Sequence, residues 1–148
     1  GLPLTAWETI HEEGGIYLDD ASGEPIGQPG WGRSQFHAQY PSLQLPAHLS
    51  ESGWWNRPFE AFSARPRRAR RFLRELLERH GGSDDRVAIV SHGGFYNRFL
   101  RALLKLPDDT AWFAISNTAF TRVDFDKNGE ITLAYQNRVD HLPPEMIT

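Results

Sequence analysis

The sequence of 148 residues contains no cysteine and only one methionine, and it has no long apolar run. The absence of cysteine excludes disulfide bonds and metal sites built from thiolates. No stretch approaches the roughly 18 apolar residues of a membrane-spanning helix, so we expect no membrane partner. No signal peptide and no internal repeat is visible, and we expect a cytoplasmic protein.

The charge balance excludes a further class of partner. The net charge is −3, from 16 basic and 19 acidic residues, so no overall basic field favours nucleic acid. The composition, 39% hydrophobic and 24% charged, is typical of a soluble globular domain, and residues 1–148 suffice for one domain with a sizeable core. Because the chain starts at Gly1 and its only methionine is Met146, we expect that it does not begin at a translation start.

One stretch combines a buried-strand pattern with residues suited to binding an anion. Residues 87–90 are four consecutive apolar residues, which predict a buried strand of a parallel sheet. Ser91-His92-Gly93-Gly94 ends this strand, and apolar spacing predicts a helix over 95–106. Ligands of open α/β sheets bind at the carboxyl ends of strands, and a helix N-terminus favours an anion. The alternative interpretation of His92 is a buried histidine with satisfied hydrogen bonds.

Two regions upstream are candidate parts of the same site. Glu12 and Glu13 stand beside two glycines, which indicates either a solvated turn or a general acid on a loop. Residues 18–58 are rich in glycine, proline and aromatic residues, and we interpret them as an ordered lid or insertion over a site. They could instead form a satellite core or an aromatic interface between subunits, in which case the protein would be a homodimer.

The remaining elements are a basic helix and a hairpin. Apolar spacing predicts a helix over 59–80, with its regular part starting near residue 65 because Pro66 suits a first turn. Its many arginines are interpreted as a solvated face, since no stacking aromatics are interleaved for nucleic acid. Residues 119–125 and 130–136 read as strands joined through Asn128-Gly129, a strong hairpin pattern.

Taken together, these segments resemble the histidine phosphatase superfamily, the phosphoglycerate-mutase-like proteins. Val-Ser-His92-Gly-Gly and the helix after it are similar to the family's second-histidine motif. Residues 7–15 are similar to the segment that carries the acidic proton donor, and Glu12 matches that donor best. The segments 117–121 and 137–142 fit the last two strands and the tail. The resemblance implies an α/β fold, part of a three-layer α/β/α sandwich with a mainly parallel sheet.

The resemblance also has a large gap. The family reaction needs a first histidine in an Arg-His-Gly motif after the first strand, upstream of the acidic segment. The chain contains Arg79-His80-Gly81, but at a predicted helix end, where Gly81 is a stop signal. The resemblance therefore implies the C-terminal portion of the domain, with the N-terminal strands missing. We expect the missing N-terminal segment to be a partner of this chain.

The implied activity is that of a phosphatase, a phosphomonoester hydrolase, or a phosphoglycerate-mutase-like isomerase acting through a phosphohistidine on a small phosphorylated substrate. The nucleophile would lie outside this chain, which alone is expected to be inactive. His92, helped by the Gly93 N–H region, would hold the phosphoryl oxygens, and Glu12 would act as general acid. Arg33 and Arg57 are candidates for binding the rest of the substrate. No metal and no cofactor is implied.

Two other functions remain as alternatives. A non-catalytic phosphate- or phosphoester-binding module of the same fold would also account for the missing nucleophile. The segment from His92 to Phe95 also resembles the oxyanion loop of esterases, but that interpretation needs a Gly-x-Ser-x-Gly elbow downstream. The sequence has none, so the first alternative is the stronger one.

Overall fold

The computed structural model describes residues 1–108 and 110–148, and a helix pair lies at the centre of its core. The helices and strands follow in chain order: β1 (Leu4–Thr5), β2 (Tyr17–Asp19), β3 (Pro25–Gly27), α1 (Arg33–Gln39), β4 (Leu43–Gln44), α2 (Arg65–His80), α3 (Gly93–Leu103), β5 (Phe120–Phe125) and β6 (Ile131–Arg138). Short 3₁₀ turns cover Glu8–Ile10, Phe62–Ala64 and Pro144–Met146.

Helix α2 begins and ends where the sequence predicts. Pro66 lies in its first turn, where the missing N–H costs no helical hydrogen bond. A 3₁₀ turn over Phe62–Ala64 precedes it. At the other end, Gly81 is the C-terminal cap, and its N–H donates to the oxygen of Leu77. The sequence Arg79-His80-Gly81 is therefore a helix end, as expected from the basic last turn and the glycine stop.

The core forms where α2 packs against α3. Phe72 of α2 is fully buried and contacts two rings of α3, with centroid distances of 5.6 Å to Phe95 and 5.2 Å to Phe99. Trp7, from the segment before the candidate acid, packs edge-on against Phe72 at 4.9 Å. Aromatic edge-to-face contacts of this kind add to the stabilisation from apolar burial. The core thus ties the N-terminal segment to both helices.

The predicted hairpin is present. Strands β5 and β6 pair in antiparallel fashion, with Phe125 opposite Ile131. In the turn, the Asp126 side chain accepts from the N–H groups of Asn128 and Glu130, and Gly129 adopts a positive φ of 79°. That backbone conformation suits glycine, because a side chain would be strained there. The turn chemistry therefore accounts for the hairpin locally.

The predicted sheet differs from the structure. Within the described residues, the strands form three separate pairs: β1 with β4 in parallel, and β2 with β3 and β5 with β6 in antiparallel. The expected buried strand over 87–90 is wrong: these residues belong to no strand of the structure, all four are exposed, and Val90 is 87% exposed. An apolar run becomes a buried strand only when neighbouring strands pair with it and cover its faces.

The aromatic segment 18–58 is ordered rather than a bare loop. It contains β3, α1 and β4, and Trp54 and Trp55 pack against each other at a centroid distance of 5.7 Å, whereas Trp31 is 42% exposed. Trp55 is only 4% exposed. Segment 18–58 forms a wall against residues 11–15, where the candidate acid lies.

None of the helices in the described part of the chain combines the length and the apolar character needed to cross a membrane.

Candidate functional site

The loop that carries Glu12 is held by a buried arginine of α2. Arg68 is 8% exposed and forms a two-pronged ion pair with Glu60, at 2.6 and 2.7 Å. Its remaining nitrogen, Nη1, donates to the backbone oxygens of Thr9 (3.0 Å) and His11 (2.8 Å). Paired, planar contacts of this type fix geometry as well as charge. The backbone on either side of Ile10 is therefore anchored to α2.

The Glu12 carboxylate lies on the first turn of α3. Its Oε1 accepts from the N–H of Phe95 at 3.0 Å, and its Oε2 accepts from the N–H of Gly94 at 3.2 Å. The N–H of Glu13 also donates to Oε1, at 2.7 Å. The first N–H groups of a helix have no partner within the helix, and its positive dipole end favours negative charge. The structure thus places an acidic side chain where the sequence predicts anion binding.

His92 is the residue immediately before this turn. It is the N-terminal cap of α3, with an extended backbone, and its oxygen accepts from the N–H of Tyr96 at 2.8 Å. Its imidazole is exposed rather than packed in the core. The preceding residue, Ser91, donates its hydroxyl to the oxygen of Ile10 at 2.6 Å. His92 and Glu12 are therefore tied to the same helix end from two sides, and His92 remains accessible to a ligand.

The second carboxylate, Glu13, has a different environment. Its Oε2 contacts Arg65 of α2 and its Oε1 contacts Arg98 of α3, both at 2.7 Å. All three side chains are largely buried, so solvent screens these ion pairs less than it screens surface pairs. The sequence did not single out these arginines. Their spacing along each helix gives no sign that one carboxylate lies between them.

The glycines after Glu13 allow aromatic rings to close over the loop. Gly14 and Gly15 both have a positive φ, 91° and 79°. A Cβ atom would lie 2.5 Å from the ring of Phe59 at Gly14, and 2.1 Å from the ring of Trp55 at Gly15. Neither position has room for a side chain. The sequence shows this pair as a turn, but it does not show that rings from residues 55–59 pack against it.

His11 is buried between the acidic loop and these tryptophans. It is 8% exposed, and its ring centroid lies 4.7 Å from that of Trp55. Its Nδ1 donates to the backbone oxygen of Glu12 at 2.7 Å. Burial, with the positive charges of Arg68 and Arg57, lowers the pKa of His11 from 6.5 to about 4. His11 is therefore neutral at physiological pH and serves as a packed hydrogen-bond donor.

The two predicted substrate-binding arginines have unlike surroundings. Arg57 is exposed, and its guanidinium lies 4.1 Å from the ring centroid of Trp55. It lines a groove of about 750 Å³ that also includes His11 and Phe59. Arg33, by contrast, donates to three backbone oxygens, those of Leu49, Pro46 and Ala47. In this structure Arg33 ties α1 to the following loop.

The structure brings together three of the five predicted site residues. Glu12, His92 and Gly93 meet at the start of α3, while Arg57 lies beside His11 and Arg33 engages residues 46–49. Within residues 1–108 and 110–148, no group of three or more His, Asp or Glu side chains could hold a metal ion. The start of α3 thus has the Glu12 carboxylate on its first N–H groups and His92 as its N-terminal cap.

Comparison with known proteins gives one match. The sequence model of the histidine phosphatase superfamily (branch 1) matches residues 30–138, which is most of the chain. The match includes His92, Arg33 and Arg57, and Glu12 lies upstream of it. No curated protein and no solved structure shows significant similarity to the chain.

Proposed function

Because the chain belongs to the histidine phosphatase superfamily, we propose that it forms part of an enzyme that transfers the phosphoryl group of a small phosphorylated substrate. The superfamily supports phosphatase or mutase-like chemistry at this level. We further propose that the reaction passes through a phosphohistidine and that the overall reaction is hydrolysis of a phosphomonoester or a phosphoglycerate-mutase-like transfer. The nucleophilic histidine would come from a segment outside these 148 residues.

One observation carries the proposal. The carboxylate of Glu12 binds the N–H groups of Gly94 and Phe95, two and three residues after His92. An acid and an imidazole separated by 80 positions in the sequence therefore share one helix turn. General acid–base chemistry requires such groups within hydrogen-bond reach of the same substrate. Among the contacts of the described residues, neither group forms an ion pair with an arginine, unlike Glu13 next to Glu12.

The proposed reaction has two steps. The nucleophilic histidine attacks phosphorus, and the bond from phosphorus to the leaving oxygen breaks while Glu12 gives that oxygen a proton. Water then attacks the phosphohistidine, Glu12 takes a proton from the water, and the phosphorus–nitrogen bond breaks to release phosphate. In both steps, His92 and the N–H region of Gly93 would stabilise the charge on the phosphoryl oxygens.

The surroundings of Glu12 and Glu13 support the choice between the two carboxylates. Glu13 is held between Arg65 and Arg98, so protonating it would break two ion pairs. Glu12 is held by backbone N–H groups only, among the contacts described for it. We therefore assign the proton transfer to Glu12 and a structural role to Glu13.

Arg57 is the better supported of the two candidates for binding the rest of the substrate. It is exposed at the groove beside His11, and a guanidinium is suited to paired contacts with anionic groups. Arg33 would have to share or release its three backbone acceptors to bind an anion. We therefore place the remote anionic or polar part of the substrate near Arg57.

The segment before His92 supports the proposal of a partner segment. Residues 87–90 have the apolar sequence of a strand but pair with none in the structure, and Val87, Ile89 and Val90 are 45%, 39% and 87% exposed. An exposed apolar strand-like segment is suited to pairing with another strand. We propose that the segment carrying the nucleophilic histidine pairs here, which would bring that histidine to the His92 end of α3.

The test is the turnover of p-nitrophenyl phosphate by the natural protein that contains this chain. His92→Ala is expected to lower kcat/KM by about 10²-fold or more, as for the loss of a group that stabilises transition-state charge. The matched control is His80→Ala, which removes the histidine of the Arg-His-Gly sequence at residues 79–81, at the end of α2, and should leave turnover unchanged. Activity retained in His92→Ala, or lost in His80→Ala, would show that the assignment is wrong.

The binding-module alternative is favoured by one observation on this chain. Its only Arg-His-Gly sequence, residues 79–81, ends α2 rather than following a strand. A module would bind inorganic phosphate or a phosphoester in a manner that depends on His92, without turnover. Calorimetry with phosphate and its analogue vanadate, run beside the turnover assay, separates the module from the enzyme.

A further inference from the structure

The first turn of α3 is occupied by a side chain of this protein. Glu12 accepts from the N–H groups of Gly94 and Phe95, at 3.2 and 3.0 Å. These donors, together with the helix dipole, are the features that make helix N-termini anion sites. In this structure, the anion is the candidate acid itself. What allows its close approach is therefore part of how the site is built.

Two adjacent glycines differ in how much room they leave. A Cβ atom built at Gly94 would lie 2.4 Å from Oε1 of Glu12 and 2.9 Å from Cγ of Glu13. A Cβ atom at Gly93 would meet only Ile115, at an ordinary 3.6 Å. Both glycines lie in the helix with backbone angles that any residue can adopt. The difference between them is thus one of space, and only Gly94 faces the acidic loop.

We propose that Gly94 is a positioning residue for Glu12: its lack of a side chain lets the carboxylate reach the first turn of α3 beside His92. This inference rests on the function proposed above, in which Glu12 moves the proton. Arg68 fixes the backbone of the loop through the oxygens of Thr9 and His11, but it does not fix the Glu12 side chain. The turn at Gly94 supplies that last constraint.

The proposal has a consequence for where substrate binds. The N–H groups of Gly94 and Phe95 are already used by Glu12, so a phosphoryl group meets the imidazole of His92 and the Gly93 side of the turn. The acid and the phosphoryl group then lie on neighbouring parts of one helix end. Misplacing the acid should affect proton donation to the leaving oxygen more than it affects binding of the phosphoryl group.

The structural test compares Gly94→Ala with Gly93→Ala by amide hydrogen exchange. Glu12→Ala sets the reference, because it removes the acceptor and should accelerate exchange at Phe95. Gly94→Ala is expected to reproduce that acceleration, and Gly93→Ala is expected to retain the protection of the unaltered protein. Combining Gly94→Ala with Glu12→Ala should add little further acceleration at Phe95, since the two changes break one contact. Undiminished protection at Phe95 in Gly94→Ala would overturn the proposal.

Should Gly94→Ala fail to fold, Glu12→Asp tests the same contact without adding atoms. The shorter side chain cannot reach the turn in the same way, so exchange at Phe95 should again accelerate. If Phe95 stays protected in both Glu12→Asp and Glu12→Ala, the carboxylate does not hold the turn, and the proposal is wrong. These measurements need no enzymatic activity, so their outcome is separate from the outcome for the proposed function.

The chemical test uses the leaving group in the natural, active protein. A general acid matters most when the leaving alcohol is poor, and it contributes about 10²–10⁴-fold. Gly94→Ala should therefore lower kcat/KM, which reports the step in which the leaving group departs, by about 10²-fold for an alkyl phosphate and by less than about fivefold for p-nitrophenyl phosphate. Gly93→Ala should leave this ratio unchanged. An equal loss for both substrates would indicate a general structural defect and would overturn the positioning role.

Discussion

The backbone segments that lead to the two candidate catalytic residues are held in opposite ways. The segment before Glu12 is buried and clamped, because Arg68 binds the oxygens of Thr9 and His11 and the Ser91 hydroxyl binds that of Ile10. The segment before His92, residues 87–90, is exposed and belongs to no strand or helix. His92 is instead ordered by its position as the cap of α3.

This difference shows that the site is supported by two kinds of interaction. The acidic loop depends on buried ion pairs and hydrogen bonds that this chain makes by itself. The run before His92 has the apolar sequence of a sheet strand, and its stabilisation would come from pairing with other strands. A polar contact of this kind needs only the groups that it joins, whereas an apolar run becomes a buried strand only when other strands pair with it.

The largest effect, on the unfolding free energy, is expected from Arg68→Ala. This change removes the contacts of Arg68 with Glu60 and with the backbone oxygens of Thr9 and His11, which together we call the Arg68 clamp. Glu60 would be left buried without its partner, and two backbone oxygens would lose their donor. Breaking a buried ion pair from one side costs about 3–5 kcal/mol of unfolding free energy. Arg67→Ala, an exposed neighbour on the same helix, should change it by less than about 0.5 kcal/mol.

Urea unfolding, followed by tryptophan fluorescence, measures the unfolding free energy of both α2 variants, Arg68→Ala and Arg67→Ala. Burial alone would raise the pKa of Glu60, but its hydrogen bonds and charge interaction with Arg68 outweigh burial and hold that pKa below its ordinary value. The carboxylate is thus ionised while paired, which is why its isolation should be costly. Equal stability of Arg68→Ala and Arg67→Ala would mean that the clamp contributes nothing.

A smaller effect on the unfolding free energy is expected from pH, and it too comes from the segment before Glu12. The pKa of His11 is lowered to about 4 by burial and nearby arginines, so the folded state binds its proton less readily than the unfolded state. The contribution of neutral His11 to the unfolding free energy is therefore fully present above pH 6.5 and is lost as the pH falls towards 4. Between pH 7 and pH 5 the linkage amounts to about 2 kcal/mol of unfolding free energy.

His11→Asn is the matched variant for this pH dependence. An asparagine side chain keeps an N–H donor for the backbone oxygen of Glu12 but does not titrate. We expect the unfolding free energy of His11→Asn to change much less between pH 7 and pH 5 than that of the unaltered protein. The same pH slope in both proteins would show that His11 is not the group responsible.

The sequence predicts the elements whose causes are local. Helix α2 follows from apolar spacing, with Pro66 in its first turn and Gly81 at its end, and the β5–β6 hairpin follows from its Asn128-Gly129 turn. Each depends on residues close together in the chain. The exposure of residues 87–90 was not predictable in this way, since burial depends on what packs against the segment.

The same distinction applies to the candidate site. His92 and the pair of Glu12 and Glu13 stand out in the sequence because each lies in a local pattern, a strand-like run before a helix and an acidic pair beside glycines, while the choice of Glu12 came from the family resemblance. The contacts that hold the acidic loop could not be predicted from the sequence, because Arg68 and Glu13 bind partners that are distant in the chain. Arginines crowded on a helix look alike in a sequence, and only packing separates Arg68 from exposed Arg67.

The smallest effect is expected on the exposed side of the comparison, from Val90→Asp. With 87% of Val90 exposed, the substitution should change the unfolding free energy of this chain by less than about 0.5 kcal/mol. Leu100→Asp, at a buried position of α3, is the contrasting variant and should prevent stable folding.

Urea unfolding measures these changes, and at two protein concentrations it would also detect self-association through the exposed residues 87–90. A loss above about 1 kcal/mol in Val90→Asp would mean that residues 87–90 are covered in solution, and the contrast between the two segments would fail. If the proposed partner segment pairs here, the same substitution should leave this chain stable and yet weaken that pairing, because an aspartate would then be buried in a strand.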